Sequence, residues 1–98
     1  MADVQTLTKE KIKLDEPGRY DVIFLNDNIT SMEFVVRVLK QIYNKTQDEA
    51  NSITKRIHEH GQGVVGSYVH EVAEQKGIET TLAARQENFP LQVKVKKQ

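Results

Sequence analysis

Hydrophobic and polar positions change rhythm several times along the chain, and each change marks an element. Residues 1 to 18 carry isolated Val4, Leu7, Ile12 and Leu14 among polar and charged neighbours and end on the turn dipeptide Pro17-Gly18, the pattern of a flexible extension. From Arg19 the character shifts. Tyr20 to Leu25 is apolar, aromatic or β-branched except at Asp21 and stops at Asn26-Asp27-Asn28, which predicts a short buried strand followed by a turn. Thr30-Ser31-Met32-Glu33 then has capping-box spacing, with a hydroxyl three residues before a Glu, so a helix is expected to open with Thr30 as its cap. Its apolar positions Val35, Val38, Leu39 and Ile42 recur at i, i+3, i+4 and i+7 and make one stripe.

Thr46-Gln47-Asp48-Glu49 repeats the capping box after a turn around Asn44-Lys45. Ala50, Ile53, Thr54 and Ile57 give the same stripe, and Gly61 is placed to stop this second helix, with His58 and His60 in its last turn. Val64 to Tyr68 is short and β-branched and reads as a second strand. A third helix is expected over residues 69 to 85, with a ragged apolar stripe, an interruption at Gly77 and Pro90 as its stop. Leu91, Val93 and Val95 alternate with Gln92, Lys94 and Lys96 as a closing half-buried strand. The order is β-α-α-β-α-β. This is a small α/β (α+β) domain over residues 19 to 98, with three helices packed on a mixed or antiparallel three-stranded sheet.

Composition narrows what such a domain can do. The chain has 98 residues, 14 Lys and Arg against 14 Asp and Glu, and no Cys. One core of this size leaves no room for separate cofactor and substrate domains. Without sulfur ligands there is no disulfide framework, thiolate zinc site or thiol nucleophile, which fits a reducing compartment. Zero net charge argues against nucleic acid as the main partner, since phosphate binding relies on clustered cations. No apolar run approaches the roughly 20 residues of a membrane helix, so a soluble intracellular protein is expected.

Candidate chemistry is sparse. Ser31, Ser52 and Ser67 lack a nucleophile-elbow context, and there is no phosphate-cradling glycine loop before a helix, so no enzyme activity is expected. His58 and His60 project about 200° apart on a helix and cannot easily share an ion, which argues against a metal site. The Lys residues at 94, 96 and 97 read as edge-strand charges. Asn26-Asp27-Asn28 stands out: side-chain carbonyls and a carboxylate between a strand and a helix suit a cationic group, although the same residues also favour turns.

VIFLNDNITSMEFVVRVL, then ITKRIHEHGQGVVGSYVHEVAEQK, then ENFPLQV, in this order and spacing, resemble the ClpS family, adaptors of the bacterial Clp AAA+ protease that deliver N-end rule substrates. The resemblance runs from about Tyr20 to Val95. It implies a bacterial, cytoplasmic, non-enzymatic and monomeric adaptor without a cofactor. Such an adaptor binds the first residue of proteins that begin with Leu, Phe, Tyr or Trp. By position it implies amine-binding roles for Asn26, Asp27 and His58. It implies a side-chain pocket of Thr30, Met32, Val35, Ile57 and Leu91, with Ile29 and Thr54 at its edge, and makes Met32 a gate that crowds β-branched ligands. Glu71 and Lys76 match positions that contact the N-terminal domain of the unfoldase, ClpA or a ClpC relative, and residues 1 to 18 match an extension that helps hand over substrate.

The chemistry fits that implication. An α-amino group, with an ordinary pKa near 8, is mostly cationic at neutral pH and suits an acceptor-only carboxylate such as Asp27; His58 would help only when neutral. Three positions depart from the family pattern. Asn28 stands where a second Asp is common, Ser31 where Pro is common at the first helical position, and Thr54 where the pocket wall is usually apolar. Two other readings remain open at this point: an unfoldase-binding modulator that does not recognise N-degrons, and a small His-dependent metal protein.

Overall fold

The computed structural model describes residues 18 to 98; the expected extension therefore lies outside the described residues except for Gly18. The elements follow the expected order: β1 (Arg19–Leu25), α1 (Met32–Gln41), α2 (Gln47–His60), β2 (Gln62–Val69), α3 (His70–Gln86) and β3 (Gln92–Lys97). All three strands are antiparallel, in the spatial order β2-β1-β3. The central place of β1 explains its nearly unbroken apolar run. Val22 and Phe24 are fully buried on the inner face, and Ile23, on the other face, is buried too.

Along β1 and β2 the register steps between Val22 and Ile23, where Val65 is the extra residue of a bulge. Val65 enters the core there, beside the inner face of the sheet. The second strand is longer than Val64 to Tyr68 because Leu25 pairs with Gln62 and Arg19 with Val69. Pairing with the central strand, rather than β-propensity, sets its ends.

Two helix boundaries differ from the expectation. Ser31, not Thr30, caps α1: its side chain accepts from the Phe34 amide at 3.1 Å, while Thr30 turns its hydroxyl elsewhere. For α2 the capping box is complete, with Thr46 Oγ1 accepting from the Glu49 amide and Glu49 accepting from the Thr46 amide. Gly61, at φ 83°, ends that helix.

The third helix runs through Gly77 without a break. Its buried positions are Ala73, Gly77, Thr80 and Ala84, so its packing face is made of small residues, and this is why its apolar stripe looked ragged. Gly77 has only β3 above it, where an added Cβ would sit 3.5 Å from Val93 and 3.7 Å from Val95. The helix stops before Pro90, by a Schellman turn: Asn88 takes φ 61°, Phe89 N–H reaches Ala84 O and Asn88 N–H reaches Arg85 O. Arg85 then donates to the carbonyls of Phe89 and Leu91 and holds the approach to β3.

Candidate functional site

The loop between β1 and α1 meets the last turn of α2 because both are tied to the same strand pair. Leu25 ends β1 opposite Gln62, the first residue of β2, and one residue on the Asn26 amide donates to Gly61 O at 2.9 Å. Gly61 is the residue that ends α2. The loop carrying Asn26 and Asp27 is therefore pinned beside Ile57 and His58.

Asp27 organises that loop. Its Oδ1 accepts from the amides of Ile29 at 2.8 Å and Thr30 at 2.6 Å, and its Oδ2 accepts from Thr30 Oγ1 at 2.8 Å. Partial burial alone would raise the pKa of this carboxyl. The hydrogen bonds from the Thr30 amide, the Thr30 hydroxyl and the Ile29 amide outweigh it, with Arg85 adding a charge, so the net shift is downward from the ordinary 3.8. Asp27 is an anion throughout the neutral range.

A cavity of about 240 Å³ opens beside the loop, lined by Asn26, Asp27, Asn28, Thr30, Met32, Val35, Thr54, Ile57 and His58. Polar groups gather on the loop side and at His58, and Val35 and Ile57 form an apolar wall. Close packing behind the wall is possible because Gly63 has no side chain; a Cβ there would lie 2.9 Å from Ile57 Cγ1. Leu91 is buried and lines a small adjoining hollow with Phe24, Val35 and Ile57, so it backs the wall. Ile29 is 65% exposed and lines none of these recesses, while Met32 is half exposed at the rim.

At about 240 Å³ the cavity is below the roughly 300 to 1,000 Å³ of drug-sized ligand sites and suits a single side chain. A hollow of about 360 Å³ between α3 and β3 is larger, but Glu74 is its one charged group beside Gly77, Ile78, Thr81, Leu82, Val93 and Val95. Among the described residues, no three His, Cys, Asp or Glu side chains are placed to hold a metal ion.

The family model described as "ATP-dependent Clp protease adaptor protein ClpS" matches residues 15 to 94. The chain belongs to the ClpS family. It is 48% identical to the ClpS of Treponema denticola over 85 residues, 87% of this chain and 84% of that protein. It is 44% identical to the ClpS of Phenylobacterium zucineum over 91 residues, 93% of this chain and 84% of that one. With the ClpS of Campylobacter jejuni subsp. doylei it shares 40% identity over 95 residues, 97% of this chain and 99% of that one. A solved structure, Agrobacterium tumefaciens ClpS2 bound to L-phenylalaninamide, superposes with a TM-score of 0.81 at 32% identity, covering 84% of this chain and 99% of that one. As a ClpS protein, the chain is an adaptor of the ATP-dependent Clp protease.

Glu71 and Lys76 lie away from the cavity. Glu71 is exposed in the first turn of α3, where a negative charge also suits the helix dipole. Lys76 is half buried: its Nζ donates to Ile42 O at 2.7 Å, at the end of α1, and lies over the rings of Tyr43 and Tyr68 at 5.7 and 5.2 Å. Asn28, part of the loop that the sequence singled out, lines the cavity. Sequence reasoning left out two contributors: Gly63 makes room for Ile57, and Arg85 places Leu91. Neither has a local sequence signal, since each depends on what folds against it. No helix among the described residues is long and apolar enough to cross a membrane.

Proposed function

We propose that this ClpS adaptor holds the first residue of a protein that begins with Leu, Phe, Tyr or Trp and delivers it to a ClpA-type or ClpC-type unfoldase. The observation that carries this reading is the juxtaposition in one cavity of the Asp27 anion, Asn26 and His58 with the apolar wall of Val35 and Ile57. L-phenylalaninamide, the ligand of the structural neighbour, has a free α-amino group, one aromatic side chain and an amide in place of the next peptide bond. Those are the features that the cavity can test.

An ammonium offers three donors and a full charge, whereas an internal peptide nitrogen offers one hydrogen and none. Asp27 and Asn26 accept from the amine, and a neutral His58 takes a further hydrogen directly or through water. Burial of a Leu or Phe side chain contributes roughly 1.5 to 3 kcal/mol, and each hydrogen bond to a charged group about 1.5 to 3 more. Association costs an estimated 4 to 15 kcal/mol, so neither the amine nor the side chain suffices alone. Met32 at the rim crowds the β-carbon of the ligand and disfavours Ile and Val.

Glu71 and Lys76 form the docking face for the N-terminal domain of the unfoldase, and residues 1 to 18 serve as the handover extension of a monomeric, cytoplasmic bacterial protein. Calorimetric titration with Phe-initiated and Leu-initiated peptides, free and N-acetylated, tests the central point. Acetylation is expected to weaken binding at least 100-fold. Equal affinity for the two forms would overturn the reading.

A further inference from the structure

A second recess, of about 220 Å³, adjoins the cavity between α1 and α2 and is lined by Met32, Val36, Asn51, Thr54, Lys55 and His58. Met32, Thr54 and His58 line both hollows, so a ridge one side chain thick separates them. Lys55 is the one group of this lining that is charged throughout the neutral range, and no carboxylate lines the recess among the described residues. Its ion-pair partner is Glu59, one turn on, at 3.9 Å, with the two side chains 76% and 51% exposed. So long and exposed a pair holds the ammonium weakly. Asn51, one turn before Lys55 on the same face of α2, accepts from Gln47 Nε2 at 3.1 Å through its carbonyl, which leaves its NH2 group to donate. The recess thus combines an apolar floor of Met32 and Val36 with two donors from α2.

We propose that this recess is a subsite for the second residue of the N-terminal ligand and that Lys55 turns its preference toward an acidic side chain, Glu or Asp. This rests on the reading of the cavity as an N-terminal-residue site and deepens it by naming the next residue that is read. With the amine at the Asn26-Asp27 loop and the first side chain against Val35 and Ile57, the ligand chain continues over the rim. Successive side chains of an extended chain point to opposite sides, and consecutive Cα atoms lie about 3.8 Å apart. The second side chain therefore leaves the first cavity, and the step across a ridge one side chain thick matches that spacing. A carboxylate at the end of a short apolar stem can pair with the Lys55 ammonium and accept from Asn51. Asp27 repels the same carboxylate from the far side of the cavity, so the contribution of Lys55 is read as a difference between variants.

The test is calorimetric titration of the full chain at low salt with free-amine peptides that begin with Phe and differ only in a second residue of Glu, Gln or Lys. It is repeated with Lys55→Met and Lys55→Glu. The Glu-to-Gln affinity ratio is expected to fall about 2- to 5-fold from wild type to Lys55→Met, the range of an exposed ion pair, while affinity for the Gln peptide stays within about 2-fold. In Lys55→Glu the ratio should fall further and the Lys peptide should gain. Raising the salt to about 0.5 M should shrink these differences. Equal ratios in all three proteins, with the peptides still binding, would overturn this inference alone. So would the same shift with Glu moved to the fourth position, which a general field rather than a recess would produce, or an equal loss for all three peptides in Lys55→Met. Failure of every free-amine peptide to bind would overturn the proposed function and this inference with it.

Discussion

A carboxylate has about four lone-pair directions, and Asp27 uses three of them within its own loop, on the amides of Ile29 and Thr30 and the hydroxyl of Thr30. One remains for a ligand amine, so the same side chain shapes the loop and supplies the charge. That Asp27 could accept from a cation was legible from residue type and position. Its hold on the loop was not, because Thr30 read as a helix cap. The two roles separate by substitution. Asp27→Asn keeps an acceptor for the two amides and removes the charge, so affinity for free-amine peptides should fall roughly 10- to 100-fold with little change in melting temperature. Asp27→Ala should lose the same affinity and also about 1 kcal/mol of stability, measured by urea unfolding. Because the pKa of Asp27 is lowered in the folded state, its contribution to stability is complete above the ordinary 3.8 and is lost as pH falls below that, through the folded value. The gap in urea midpoint between Asp27→Ala and wild type should therefore narrow in acid, below pH 4, and a constant gap would count against the role of the carboxylate in the loop.

Among the elements, the start of α1 shows how two adjacent hydroxyls divide their work. Ser31 accepts from the Phe34 amide as the cap, and Thr30 donates to Asp27. Both residues precede the helix and differ by one step in spacing to Glu33; Asp27 engages the amide and hydroxyl of Thr30, which leaves Ser31 to cap the helix. Ser31→Ala should cost about 1 kcal/mol in urea unfolding and leave peptide affinity within 2-fold. Thr30→Val should do the reverse, lowering peptide affinity several-fold through a loosened Asp27. The stripe of α2 was readable because Ala50, Ile53, Thr54 and Ile57 are all buried at helical spacing. That of α3 was not, because Gly77 and Thr80 on its packing face carry no hydrophobic signal while Ile78 and Leu82, 54% and 60% exposed, point away from the core.

For the whole molecule, zero net charge leaves local charges to act where the fold puts them. Lys76 ties α3 to the end of α1 through Ile42 O and the rings of Tyr43 and Tyr68, whereas Glu71 is exposed. Glu71→Lys is therefore expected to weaken binding to the N-terminal domain of the unfoldase at least 10-fold, with peptide affinity unchanged and only a small drop in melting temperature from the reversed charge at the start of α3. Lys76→Met should lower both that binding and the stability, the latter by about 1 to 2 kcal/mol. Titration of the isolated unfoldase domain together with thermal melts reads both outcomes; normal unfoldase binding by Glu71→Lys would place the docking face elsewhere. Strand and helix order, the cap of α2 and its stop at Gly61 could be read along the chain, because periodicity and capping involve neighbours only a few residues apart. The acidic loop and the family resemblance could be read in the same way, as residue types at set spacings. Which hydroxyl caps α1, how Asp27 spends its lone pairs and why Gly63 must be small were decided only when β1 paired with β2 and brought distant segments together. Hydrogen bonding and close packing depend on those contacts, and no stretch of sequence contains them.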